Sequence, residues 1–136
     1  MLALGMVVIL AFGEGGVEGF TGLVESVDAA TIFAAVFAAP FLESLILALI
    51  VWVVGFKLKA SLAVTAVVAG LAFIPQHGLS AASVMVAPFF ALEAPILMNW
   101  MRRDAGGTGF ALVVAIHALA NGLSVAATAV FGVTDL

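Results

Sequence analysis

The chain has 136 residues, of which 65% are hydrophobic and 9% charged, and a formal net charge of −4. A soluble globular domain is about 45–50% apolar and roughly 25% charged, so this composition, with a mean hydropathy of +1.35, predicts an integral membrane protein. The absence of cysteine and tyrosine excludes disulfides, thiolate metal sites, cysteine nucleophiles and phenol acids. The four basic residues fall in two pairs, Lys57/Lys59 and Arg102/Arg103, too few to track a phosphate backbone, which speaks against nucleic-acid binding.

In chain order, Met1–Phe12 is apolar but only about half of the ~20 residues a spanning helix needs, and reads as a short partial or interfacial helix. A signal-peptide core is the alternative, weakened by the lack of a basic start and a small-residue cleavage site. An acidic stretch follows, with Glu14, Glu18, Glu25 and Asp28. Four apolar runs then occupy residues 29–56, 60–77, 80–101 and 108–131. The expected fold class is therefore all-α: a polytopic transmembrane helix bundle of four long spans plus the short N-terminal apolar helix. Residues 1–28 form the leading segment and 29–136 a single transmembrane domain.

Both basic pairs fall between spans, and two helices separate them, so an up-down topology places them on one side. By the positive-inside rule that side is cytoplasmic, and the acidic stretch from Glu14 to Asp28 is extracytoplasmic. Trp52 and Trp100, just before the basic pairs, read as interface anchors. Small residues recur every four positions at Ala111/Ala115 and at Ala118/Gly122/Ala126. Such stripes allow close helix approach in lipid, within the bundle or against a further copy or partner helix.

Polar groups at membrane depth are expensive and need a partner or a purpose. Glu43 lies fourteen residues before Lys57, and His117 fourteen after Arg103. At a rise of about 1.5 Å per residue, each sits roughly 21 Å from the basic edge. Asn121 follows His117 by one turn, on the same helical face. His77 lies eighteen residues beyond Lys59, roughly 27 Å along a straight helix, so tilt or a break at Pro75 is needed to bring it to the same depth. Taken singly, an intramembrane His or Asn reads equally well as interhelical glue, and His77, in a Pro-Gln-His-Gly turn, as a loop residue. Glu93 is a further intramembrane carboxyl, facing either a partner helix or a polar cavity.

In order, Ala39-Pro40-Phe41-Leu42-Glu43, Phe73-x-x-x-His77 and His117-x-x-x-Asn121 resemble the CPBP (Abi) family of intramembrane proteases, which includes CAAX prenyl endopeptidases and bacteriocin-immunity proteins. The family's signatures are EExxxR, FxxxH and HxxxN on successive membrane segments, and the resemblance covers roughly residues 31–131. The second and third signatures are complete. In the first, Ser44 stands where the family has its second Glu and Ala48 where it has Arg. The resemblance implies that Glu43 and His77 activate water and that His117 and Asn121 hold the oxyanion.

The chemistry is sound on its own terms. Peptide hydrolysis needs a base for water and donors for the tetrahedral oxyanion; Glu43 can serve as the base, and neutral His117 and the Asn121 amide supply N–H donors from one helical face. The expected substrate is a membrane-embedded or lipid-tethered peptide, with no cofactor. Glu43, His77 and His117 also form a possible zinc set, but no short metal spacing such as HExxH supports it. Two other readings stand beside the peptidase: an inactive membrane scaffold or immunity-type binding protein, motivated by Ser44 and Ala48, and a haem- or pigment-ligating subunit using His77 and His117.

Overall fold

The structure, a computed structural model, describes residues 29–77, 84 and 86–131. The expected short helix over Met1–Phe12 and the acidic stretch from Glu14 to Asp28 lie outside the described residues. Among the described residues the regular structure is entirely helical. It comprises α1 (Ala29–Phe33), a π-helical turn (Ala34–Ala38), α2 (Ala39–Ile50), a second π-helical segment (Val51–Lys57), α3 (Leu62–Phe73), a 3₁₀ turn (Ile74–His77), α4 (Val86–Met101) and α5 (Gly106–Phe131).

Among the described residues two helices are long and apolar enough to cross a membrane, Ala34–Lys57 with 24 residues and Gly106–Ala127 with 22. Between them, α3 has 12 residues, shorter than its apolar run, and α4 has 16 among the described residues. Local chemistry explains the shortening of α3. Ser61 is in extended backbone and accepts from the Val64 N–H at 3.3 Å, an N-cap that starts the helix beyond the Lys57/Lys59 pair. At the other end Pro75 has no N–H and crowds the preceding turn. The Ile74 N–H bonds to the Leu71 carbonyl, and the chain tightens into the 3₁₀ turn.

The α4–α5 turn is closed by a Schellman motif. Asp104 takes φ 56°, the Ala105 N–H reaches the Trp100 carbonyl at 3.1 Å, and the Asp104 N–H reaches Met101 at 3.2 Å. Lys59, at φ 54°, plays the same part after the Val51–Lys57 segment, where the Ala60 N–H reaches back to Val54 at 3.0 Å. A Cβ on Gly55 would lie 2.9 Å from Met98 Cε, so the segment ending at Lys57 packs beside the end of α4. Both basic turns therefore share one end of the bundle.

The most extensive interface joins α3 to α4, followed by α4 with α5 and α2 with α5. A Cβ on Gly70 would fall 2.5 Å from the Ala87 carbonyl oxygen, so the α3 and α4 backbones come closer than any larger residue allows. The stripe of small residues on α5 is not that seam. Ala111, Ala115 and Ala126 are exposed and Gly122 meets only Val36 at van der Waals distance, because α5 turns Val113, His117 and Ser124 inward instead.

The core contains Leu47, Val51, Phe73, Phe90, Leu97, Met98 and Val113, with Phe73 and Phe90 stacked at 3.5 Å between centroids. Several polar side chains share this interior with the apolar core, and many large apolar ones lie on the outside. Ser44, Thr65, Glu93, His117 and Ser124 are buried, while Phe33, Leu42, Leu71, Leu119 and Leu92 (71% exposed) face outward.

Candidate active site

Glu43 projects from the middle of α2 and is partly buried. Its two carboxylate oxygens face different histidines: Oε2 lies 3.0 Å from His117 Nε2 and Oε1 lies 3.8 Å from His77 Nε2. Three of the four residues singled out in the sequence, Glu43, His77 and His117, thus meet from three different helical segments.

His77 reaches this position although simple counting put it too far along its helix. The count began at Lys59, but α3 begins at Leu62, which removes three residues, about 4.5 Å. Helical side chains also lean toward the N-terminus. The His77 ring folds back until Nδ1 lies 3.0 Å from the Phe73 carbonyl. A carbonyl only accepts, so Nδ1 carries the hydrogen, and in the neutral ring Nε2 is left as an acceptor. Nε2 and the Glu43 carboxylate then present lone pairs to each other across 3.8 Å, too far for a direct hydrogen bond. A water placed between them would be able to donate one hydrogen to each.

His117 is buried at 5% exposure. Its ring makes edge contacts with Phe89 and Phe90, at 5.0 and 5.2 Å between centroids. These aromatic faces hold the imidazole plane and leave its two nitrogens pointing to opposite sides. Nε2 meets Glu43, while Nδ1 looks toward Glu93 Oε2 at 3.8 Å.

Asn121 is placed on the same face of α5 but has a different immediate partner. Its Nδ2 donates to the Ala35 carbonyl at 2.9 Å. The reason lies in the first helix. The Ala39 N–H bonds to the Ala34 carbonyl, five residues back, which is the π-helical register. In that register the Ala35 carbonyl would be paired with residue 40, and Pro40 has no N–H. Asn121 supplies the missing donor. A carboxamide carries two N–H bonds, so the second remains for another acceptor.

Glu93 is the member that sequence reasoning left unassigned. It is 2% exposed, and neither of its oxygens nor His117 Nδ1 has a hydrogen-bond partner among the described residues. Ser44, where the resemblance puts a second Glu, is fully buried and its Oγ also lacks a partner there. No group of three or more His, Asp or Glu arranged to hold a metal ion occurs among the described residues. Trp52 stacks under Lys57, with Nζ 4.7 Å from the ring, consistent with an interfacial belt.

Comparison with protein-family profiles, with curated protein sequences and with solved structures returns no match to this chain.

Proposed function

We propose that this chain is a four-helix integral membrane protein of the CPBP type that hydrolyses a peptide bond in a membrane-embedded or lipid-tethered peptide. The observation that carries the reading is the Glu43 carboxylate, with one oxygen turned to each of two histidines. Glu43 takes one proton from a water held between its carboxylate and His77 as the water oxygen bonds to the peptide carbonyl carbon, and returns that proton to the amine nitrogen as the C–N bond breaks. His117 and the second N–H of Asn121 stabilise the tetrahedral oxyanion. The partly buried Glu43 side admits water, and the buried His117 side provides the low-dielectric wall against which its N–H acts.

Support for the bilayer comes from the outward apolar side chains and the inward polar ones, an arrangement that suits lipid and not water. In this reading the Lys57/Lys59 and Arg102/Arg103 turns face the cytoplasm. The test is cleavage of a fluorogenic lipid-tethered peptide by the protein reconstituted in vesicles. Wild type is expected to cleave, and E43Q to lose about 10²–10⁴-fold, the usual worth of a positioned general base. Undiminished cleavage by E43Q overturns the proposal.

One observation favours a second reading, a non-catalytic binding protein of the same fold. Asn121 already holds α1–α2 to α5 through Ala35, which is a structural use of that residue. Under this reading wild type cleaves no peptide, and E43Q leaves partner binding unchanged.

A further inference from the structure

We infer that Glu93 is a positioning residue for His117, acting on Nδ1 to set which ring nitrogen presents its proton to Glu43. The inference deepens the proposed function and rests on it for any effect on turnover; the contact itself does not.

Glu93 comes from α4, an element that contributes none of the motif residues, and its Oε2 lies 3.8 Å from His117 Nδ1. The Glu93 oxygens and His117 Nδ1 are buried and have no hydrogen-bond partner among the described residues. A carboxyl enclosed in this way is unfavourable unless it is bonded. Closing the gap by roughly 1 Å brings the pair to hydrogen-bond distance. Phe89 and Phe90 hold the ring, which leaves the carboxyl as the group free to move toward it.

A neutral imidazole has one N–H and one acceptor nitrogen, so what faces Nδ1 decides what Nε2 can do. When Glu93 carries its proton, it donates to Nδ1, and Nε2–H donates to Glu43 or to a substrate oxygen. When Glu93 is a carboxylate it accepts from Nδ1–H, and Nε2 accepts from a protonated Glu43. Passing between the two arrangements moves one proton from Nε2 to Glu43 and one from Glu93 to Nδ1. The charge of the three groups together is unchanged. Glu93 thus sets the tautomer of His117 without touching substrate.

The experiment is ¹⁵N NMR of histidine-labelled protein in lipid nanodiscs, comparing wild type with E93Q and E93L. Glutamine keeps a hydrogen-bonding group at Nδ1, and leucine removes it while filling the apolar site. The expected result is a change in the His117 tautomer ratio on the order of tenfold in E93L, the weight of one charge-assisted hydrogen bond. E93Q stays near wild type and the His77 signals are unmoved in both. In the cleavage assay E93L lowers kcat about tenfold with KM little altered, and E93Q restores much of it. Unchanged His117 signals in E93L overturn the inference, whatever the activity. A wild-type protein that cleaves nothing defeats the peptidase reading alone, and the ring signals still decide the role of Glu93.

Discussion

Replacing Asn121 by alanine tests the link between Pro40, the π-helical turn and α5. The substitution removes the donor at 2.9 Å from the Ala35 carbonyl and leaves that oxygen without the partner that Pro40 cannot provide. Interhelical hydrogen bonds in membrane proteins average about 0.6 kcal/mol and reach about 1.7 kcal/mol. Ala35 and Asn121 are both only partly buried, so N121A should cost about 1 kcal/mol, a factor of about 5 in the folding equilibrium. The decisive comparison is the same substitution in a P40A background. An N–H then returns at position 40, the carbonyl finds a donor within its own helix, and the cost of N121A should fall close to zero. The coupling energy from this double-mutant cycle, read by reversible unfolding in mixed micelles, is therefore predicted at about 1 kcal/mol. An N121A penalty equal in both backgrounds refutes the pairing of Asn121 with the proline-freed carbonyl.

Two further expectations concern packing and topology. G70A should destabilise by about 1–3 kcal/mol through overpacking, because its Cβ would meet the Ala87 carbonyl oxygen at 2.5 Å. G107A, with nothing within 4 Å of its Cβ, should be neutral or stabilising in the same reversible unfolding measurement. Since the chain has no cysteine, K59C and R103C each provide a unique thiol. Both should react with a membrane-impermeant maleimide from the cytoplasmic side only, and labelling from opposite sides would break the shared-end arrangement.

The amount of this architecture that could be read from sequence depended on how local the cause was. The basic turns and the His117/Asn121 face follow from helical spacing, and helical spacing survives folding. Glu43 and His117 were placed at one depth by counting from charged edges, and they meet at 3.0 Å. Glu93 could be seen as an intramembrane carboxyl, and counting ten residues back from Arg103 puts it roughly 15 Å from that edge. That is one turn short of His117, a gap bridged by its side chain and by the seating of α4 against α5. Neither appears in a one-dimensional count. The partner of Asn121 was hidden for a related reason. It depends on a register shift near Pro40 that apolar periodicity does not encode. The small-residue stripe on α5 does not form the tightest seam within the bundle, because spacing of four marks a face without saying what the face meets. Gly70, an isolated glycine in an apolar run, is where the α3 and α4 backbones make their close approach.

The polar contacts of the constellation share one property. Glu43 sits on α2, His77 beyond α3, Glu93 on α4 and His117 on α5, so every contact among them crosses from one segment to another. A slide of one helix by a single turn, about 5.4 Å, carries a 3.0 Å contact far out of hydrogen-bond range. The four side chains therefore act together as a gauge of assembly. They are in register only when all the helices are seated, and a bundle pried apart holds the same residues with none of their mutual geometry.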